Sequence, residues 1–350
     1  MMPESGGEQV YLQTSYSRPR DLMPFLFCWV MILCIRPGSE AADCIVVSKY
    51  IMFPFNSGLN QNVVQQRLIA MAAISLITAI NISNTRIAIL IHDVITVLKI
   101  AVVTIIALTG VLIAVQLVKI DNRPNNFAHP FAGTDNRPGS YASACFRVFF
   151  AYDGWNNLNY SVAELKDPEK CLPRASAMGV GLVTILFLAA NFAYFTVVPL
   201  DKIVSSSELL AGQFFIAVFG DFVGSKIFPV LLAMSALGAV SAMAFSASRI
   251  ILASAKAGII PKSEYLSAVH PYFKTPTRAF ILNWALSMIL IAIPPSEDAF
   301  DFLLELVGYP QWVFYGKRKL SSNCEEWKSM LCLIIRFSSC RIAPPAHPTT

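Results

Sequence analysis

The sequence predicts an all-α integral membrane protein, and three observations carry the prediction: an apolar composition, a series of span-length hydrophobic runs, and polar residues confined to run ends or a few abrupt interruptions. Of the 350 residues, 55% are hydrophobic and 14% charged, and the mean hydropathy is +0.56. That balance is too apolar for a water-soluble domain of this length. A helix crosses the hydrocarbon core with about 20 mainly apolar residues, and such runs recur. We place about eight spans at 22–53, 65–85, 91–118, 142–165, 175–199, 225–256, 277–294 and 299–316. The expected organisation is a cytoplasmic linker at 1–21, a polytopic transmembrane domain at 22–316, and a divergent, disordered tail at 317–350, rich in Ser, Pro and Thr.

The first span carries Arg36, Glu40 and Asp43. Arg36 and Glu40 are four residues apart, so a helix puts them on one face as an ion pair, and Pro37–Gly38 predict a kink there. The second span ends at ISNTRIAILIHD, an amphipathic entry to the third. In the third, Lys99 precedes the uncharged run IAVVTIIALTGVLIAVQLV; on its own it is read as a snorkelling lysine or as a functional cation. The fourth span contains FFAYDGWNNLNYSVAELKDPEKCLPRA at 149–175. Gly154 loosens a helix, and Asp153, Asn156, Asn157 and Asn159 compete for its backbone bonds. The stretch is either the end of a span or a discontinuous helix, which a membrane tolerates only where protein or a watery cavity satisfies the freed groups. The run at 175–199 is strongly apolar, 225–256 nearly so, and Pro294–Pro295 mark an extracellular turn before the eighth span.

Charge reports topology here rather than a nucleic-acid partner, because the net charge is only +5 and no basic run is interleaved with aromatics. With the first span running outward, Arg18, Arg20, Arg86, Lys166, Lys170, Arg174, Arg249, Lys256, Lys262, Lys274 and Arg278 fall on the cytoplasmic side. Neither the eight cysteines nor the four histidines form a metal-ligand pattern, and no cofactor motif is present. Ser235, Ser241, Ser246 and Ser248 share one helix without an intramembrane histidine, so an enzyme is the weakest reading. The sequons at Asn81 and Asn159 are read as chance matches.

The stretch at 149–175 closely resembles the sixth transmembrane helix and following loop of the L-type amino acid transporters, in the amino acid, polyamine and organocation superfamily. PESGGEQVYL at 3–12, CWVMILCIRPGS at 28–39 and SALGAVSAMAFSASRIILASAKAGIIP at 235–261 are similar to the end of that family's second helix and to its third and eighth helices. The resemblance covers about residues 3–316 and lies nearest a fungal branch that includes methionine permeases. It implies a LeuT-like inverted-repeat transporter fold, of which the chain holds helices three to ten, incomplete at both ends.

The function implied is sodium-independent alternating-access transport of methionine or another large neutral amino acid, in the plasma membrane. A transport-inactive fragment or an interaction subunit of a complete homologue is the alternative. The resemblance places Phe150, Ala151 and Asp153 in the unwound part of the substrate-binding helix, with Gly154 as the helix break. Phe150 is implied as the aromatic gate, Asn156 as a polar neighbour of the pocket, and Lys99 as the lysine that replaces a sodium ion in sodium-independent relatives. Asp153 stands where many animal members carry glycine, so it could alter the amine site or take a proton. The loop 53–66 lacks the cysteine that bonds a heavy chain in animal members, so no disulfide-linked heavy chain is expected.

Overall fold

A computed structural model of the chain describes residues 7–15, 22–55, 62–83, 85–118, 120, 124–128, 133–135, 137–164, 167–206, 210–273 and 275–293, with helical residues between 300 and 314 at 300, 302–304, 306–308, 310–311 and 313–314. The tail expected at 317–350 lies outside the described residues. Helices make up the ordered elements: α1 (Glu8–Ser15), α2 (Leu22–Met52), α3 (Val63–Ser83), α4 (Thr85–Ala114), α5 (Pro138–Ala151), α6 (Pro168–Val197), α7 (Leu200–Ser206), α8 (Leu210–Phe219), α9 (Val223–Lys256), α10 (Ser263–Leu266) and α11 (Thr277–Ala292). Inside the expected linker 1–21, α1 is an addition, with Glu8, Gln9 and Leu12 buried.

Among the described residues, five helices are long and apolar enough to cross a bilayer: α2, α3, α4 from Ile87 on, α6 and α9. With them come the 16-residue α11 and the helical residues after 300, at the seventh and eighth expected spans. The fourth expected span is not one continuous helix, because α5 stops at Ala151. Leu90, Val94, Val97 and Leu108 of α4 and Met178, Ile185 and Leu188 of α6 are all more than half exposed. An apolar surface of that extent suits lipid, not water.

The axis of the fold is α2. From Arg36 to Met52 it is buried on nearly every side, and α9, α3 and α11 pack around it. Just before Pro37, where a kink is expected, α2 contains a π-turn at Met31–Ile35, in which the Arg36 N–H donates to Met31 O, five residues back. Pro37 has no N–H and its ring crowds the carbonyl four residues earlier, so a widened turn just before it relieves the clash. The same device opens α9, where the π-turn Val223–Ile227 precedes Pro229.

The Arg36 charge does act on Glu40, as their shared face predicts. Glu40 nonetheless has stronger partners: Asn283 Nδ2 donates to both its carboxylate oxygens, at 2.8 and 2.7 Å, and Ser287 Oγ donates at 3.1 Å. The Arg36 guanidinium lies over the Tyr160 ring, 5.1 Å from its centroid. A buried polar cluster thereby ties α2 to α11.

A second body forms where α4 packs along α6, with Ile106, Ile113, Ala193 and Phe214 in its core. Gly110 makes this approach possible, since a Cβ there would overlap the backbone and Cβ of Ala193. Gly238 of α9 likewise meets Ile95 of α4 and links the two bodies. Small residues at helix crossings are the usual basis of close packing in lipid, where no hydrophobic force drives helices together.

Gly110→Leu is expected to push α4 from α6 and to cost roughly 1–3 kcal/mol, read as a lower melting temperature in detergent. Gly139→Leu, at a position with nothing within 4 Å, should leave the melting temperature unchanged.

Candidate functional site

The interruption at 152–156 is a true break in the helical path. α5 begins at Pro138, where Asp135 accepts bonds from the Arg137 N–H (3.1 Å) and from Ser140 Oγ (2.7 Å). It runs to Ala151, and the chain then turns. Backbone bonds reach only three residues back: Tyr152 N–H to Phe149 O at 3.2 Å, Asn157 N–H to Gly154 O at 3.0 Å, and Asn159 N–H to Asn156 O at 2.9 Å. Gly154 has φ +92°, a conformation that strains any other residue and that no α-helix contains. The path resumes as a 3₁₀ turn at Asn157–Glu164.

Side chains from distant parts of the chain tie this break down. The Tyr152 hydroxyl donates to Thr184 Oγ1 of α6 at 3.1 Å, and its ring meets Phe187 edge-on at 5.7 Å. Gln311 Nε2 donates to Asp153 Oδ1 at 3.0 Å. Asn156 is buried, and its Nδ2 donates to Glu8 Oε1 of α1 at 2.7 Å and to the Tyr160 hydroxyl at 3.2 Å. Gly7 sits directly on the Tyr160 ring, which leaves no room for a side chain at the entry to α1.

The residues expected at the site fall into three groups. Ala151, Asp153 and Gly154 come together, with Tyr152 and Trp155, in a pocket of about 390 Å³ walled on the other side by α6. Phe150 belongs to the last turn of α5, and its side chain lies outside the described residues. Asn156 does not line that pocket; it faces Glu8 and Tyr160. Lys99 is also absent from its walls, half-buried and within the electrostatic reach of Asp43 on α2. Asp43 in turn lies in the fields of both Lys99 and Asp153. Two carboxylates and one ammonium thus lie within electrostatic range of one another, with Asp153 in the break itself, a combination able to accept a further cation or proton.

Asp43, Gln311 and Thr184 join the residues expected at the site. An intramembrane carboxylate is by itself a functional signal, so Asp43 was accessible to that argument; the other two lie more than 30 residues from their partners. A further pocket of about 590 Å³ lies between α4 and α9, lined by His92, Asp93, Asn157 and Ser241 among others. The serines of α9 turn inward to protein partners: Ser246 and Ser248 donate to the carbonyls of Met243 and Phe245, and Ser241 accepts from Asn81 at 3.1 Å. The same contact buries Asn81, the first residue of one sequon.

With this geometry in view, the comparisons with known proteins are specific. A family profile described as amino acid permease matches residues 1–316. The b(0,+)-type amino acid transporter 1 of Mus musculus is 33% identical over 319 residues, which are 90% of this chain and 61% of the relative. The high-affinity methionine permease of Saccharomyces cerevisiae is 28% identical over 331 residues, 91% of this chain and 56% of the relative. The large neutral amino acids transporter small subunit 2 of Oryctolagus cuniculus is 32% identical over 344 residues, 93% and 58% respectively. The chain therefore spans about three fifths of the length of these relatives.

Replacing Asn156 by Leu removes the donor to buried Glu8, a loss of roughly 1–3 kcal/mol. Faster hydrogen exchange in residues 8–15, with α3 and α11 unchanged, is the expected readout.

Proposed function

The chain belongs to the amino acid permease family, and from that premise we propose that it serves the transmembrane movement of a large neutral amino acid by alternating access. The observation that carries this reading is the broken helix at 152–156 beside Asp43, Lys99 and Asp153. Turn carbonyls and carboxylates together suit a substrate ammonium, and secondary transporters hold substrates at such discontinuities. Ala151, Asp153 and Gly154 form the wall of the substrate site, Phe150 acts as its gate, and Asn156 holds the break from behind. The Lys99 ammonium, close to Asp43, opposes a sodium ion at the same place, which supports sodium-independent transport; Asp43 and Asp153 offer a route for proton coupling.

The names of the relatives mention b(0,+)-type, methionine and large neutral amino acid transport, which supports a neutral substrate; the plasma membrane is the location that goes with this reading. No chemical conversion of the substrate is involved. One relative is called a small subunit; since the loop 53–66 has no cysteine, any partner chain at that loop is held without a disulfide.

The test is uptake of labelled methionine and leucine into cells lacking their own carriers, driven by the 350-residue chain and, in parallel, by the same chain preceded by the amino-terminal segment of a relative. Uptake is expected from at least one of them, unchanged when choline replaces sodium. Phe150→Ala and Lys99→Gln should each reduce it about ten-fold or more, the effect of losing roughly 1.4 kcal/mol of productive binding, without loss of membrane insertion. Correct insertion of both proteins without any uptake would reject the reading.

A further inference from the structure

We propose that the groove between the amino-terminal half of α2, α10 and α11 is a binding site for one anionic phospholipid, with its acyl chains against the helices and its phosphate at Lys262 and Arg278. The groove encloses about 510 Å³. Leu33 and Ile281 form its outward-facing walls, 39% and 50% exposed, and Ala285 leaves space between them. Apolar walls that open toward lipid select an acyl chain over a soluble anion.

Both basic residues on the lining lie at the rim, where the distribution of charge assigns the cytoplasmic face. Arg278 is already oriented: its Nη1 donates to Tyr265 O at 2.9 Å, and its guanidinium lies over the Tyr265 ring, 4.0 Å from the centroid. That posture fixes the planar fork and keeps other N–H donors for a phosphate. Lys262 caps α10 with φ +57°, a left-handed conformation that asparagine or glycine would adopt at less cost, so local helix geometry does not account for a lysine there.

The Trp29 ring also lines the groove, and tryptophan is suited to this depth, apolar on its ring and polar at one edge. Basic pockets between spans on the cytoplasmic side are the usual receptors for anionic head groups.

The experiment is native mass spectrometry and thermal melting of the purified full chain with phosphatidylserine, phosphatidylcholine or inorganic phosphate, and it is read without reference to transport. Phosphatidylserine should be retained over phosphatidylcholine by about five-fold per basic residue and should raise the melting temperature; inorganic phosphate should not. Lys262→Gln, which leaves the Arg278–Tyr265 contact intact, should lower the preference, and adding Arg278→Gln should abolish it. Ala285→Phe, which fills the groove without changing charge, should displace the lipid and leave the lipid-free melting temperature unaltered. Equal retention of both phospholipids, the full thermal shift with phosphate alone, or an undiminished preference in the Lys262→Gln or Ala285→Phe variant would overturn the proposal.

Discussion

Hydrocarbon offers no hydrogen bonds, so each polar group that this chain carries into a membrane has to find its partner inside the protein. Helices meet most of that demand along the backbone. Side chains follow the same rule: the hydroxyls of Ser75, Thr104, Thr109, Thr184 and Thr196 turn back to carbonyls four residues earlier. Where a side chain cannot turn back, a neighbouring helix answers, as Asn283 and Ser287 answer Glu40 and as Ser75 answers the Trp284 indole at 3.0 Å. The segment 152–156 departs from the rule in its backbone, while its side chains are tied by polar contacts to α1, α6 and the helical residues near 311. A displacement of the break therefore acts on elements at opposite ends of the sequence.

Much of this architecture was legible before any coordinates. Continuous apolar runs located the five long helices, because in lipid length and composition together decide what can cross, though the one expected at 175–199 begins at Pro168 and the span expected at 142–165 stops at Ala151. The break was visible as Gly154 among asparagines, residues that locally prefer turns. What the sequence did not disclose is pairing at a distance. Arg36 and Glu40 were correctly put on one face, yet nothing in residues 36–40 indicates that Asn283 supplies the closer donor or that Tyr160 lies under the guanidinium. Asn156 offers a similar lesson: implied by the resemblance as a polar neighbour of the pocket, it donates to α1, whose glutamate lies 148 residues earlier.

The charges near the break show why single-residue reading was incomplete. Lys99 taken alone permits a snorkelling role, and Asp43 taken alone is a costly carboxylate in a span. Within reach of one another and of Asp153, they form a mixed-sign group in which the Lys99 ammonium offsets the charge of Asp43 while Asp153 opposes it. The fold achieves this by placing α2 at its centre, packed by α9, α3 and α11, with Asp43 in the fields of Lys99 and Asp153.

The π-turn in α2 has one more implication. A π-turn houses one residue beyond the α-helical path, and each residue of an α-helix advances the side chains by about 100°. Angular positions on the two sides of Met31–Ile35 are thus out of phase by about that amount. A single helical wheel drawn through all 31 residues would assign lipid-facing and protein-facing surfaces correctly on one half only. A helix without the extra residue would present the same sides outward on both halves, because the widened turn absorbs one residue without rotating what flanks it.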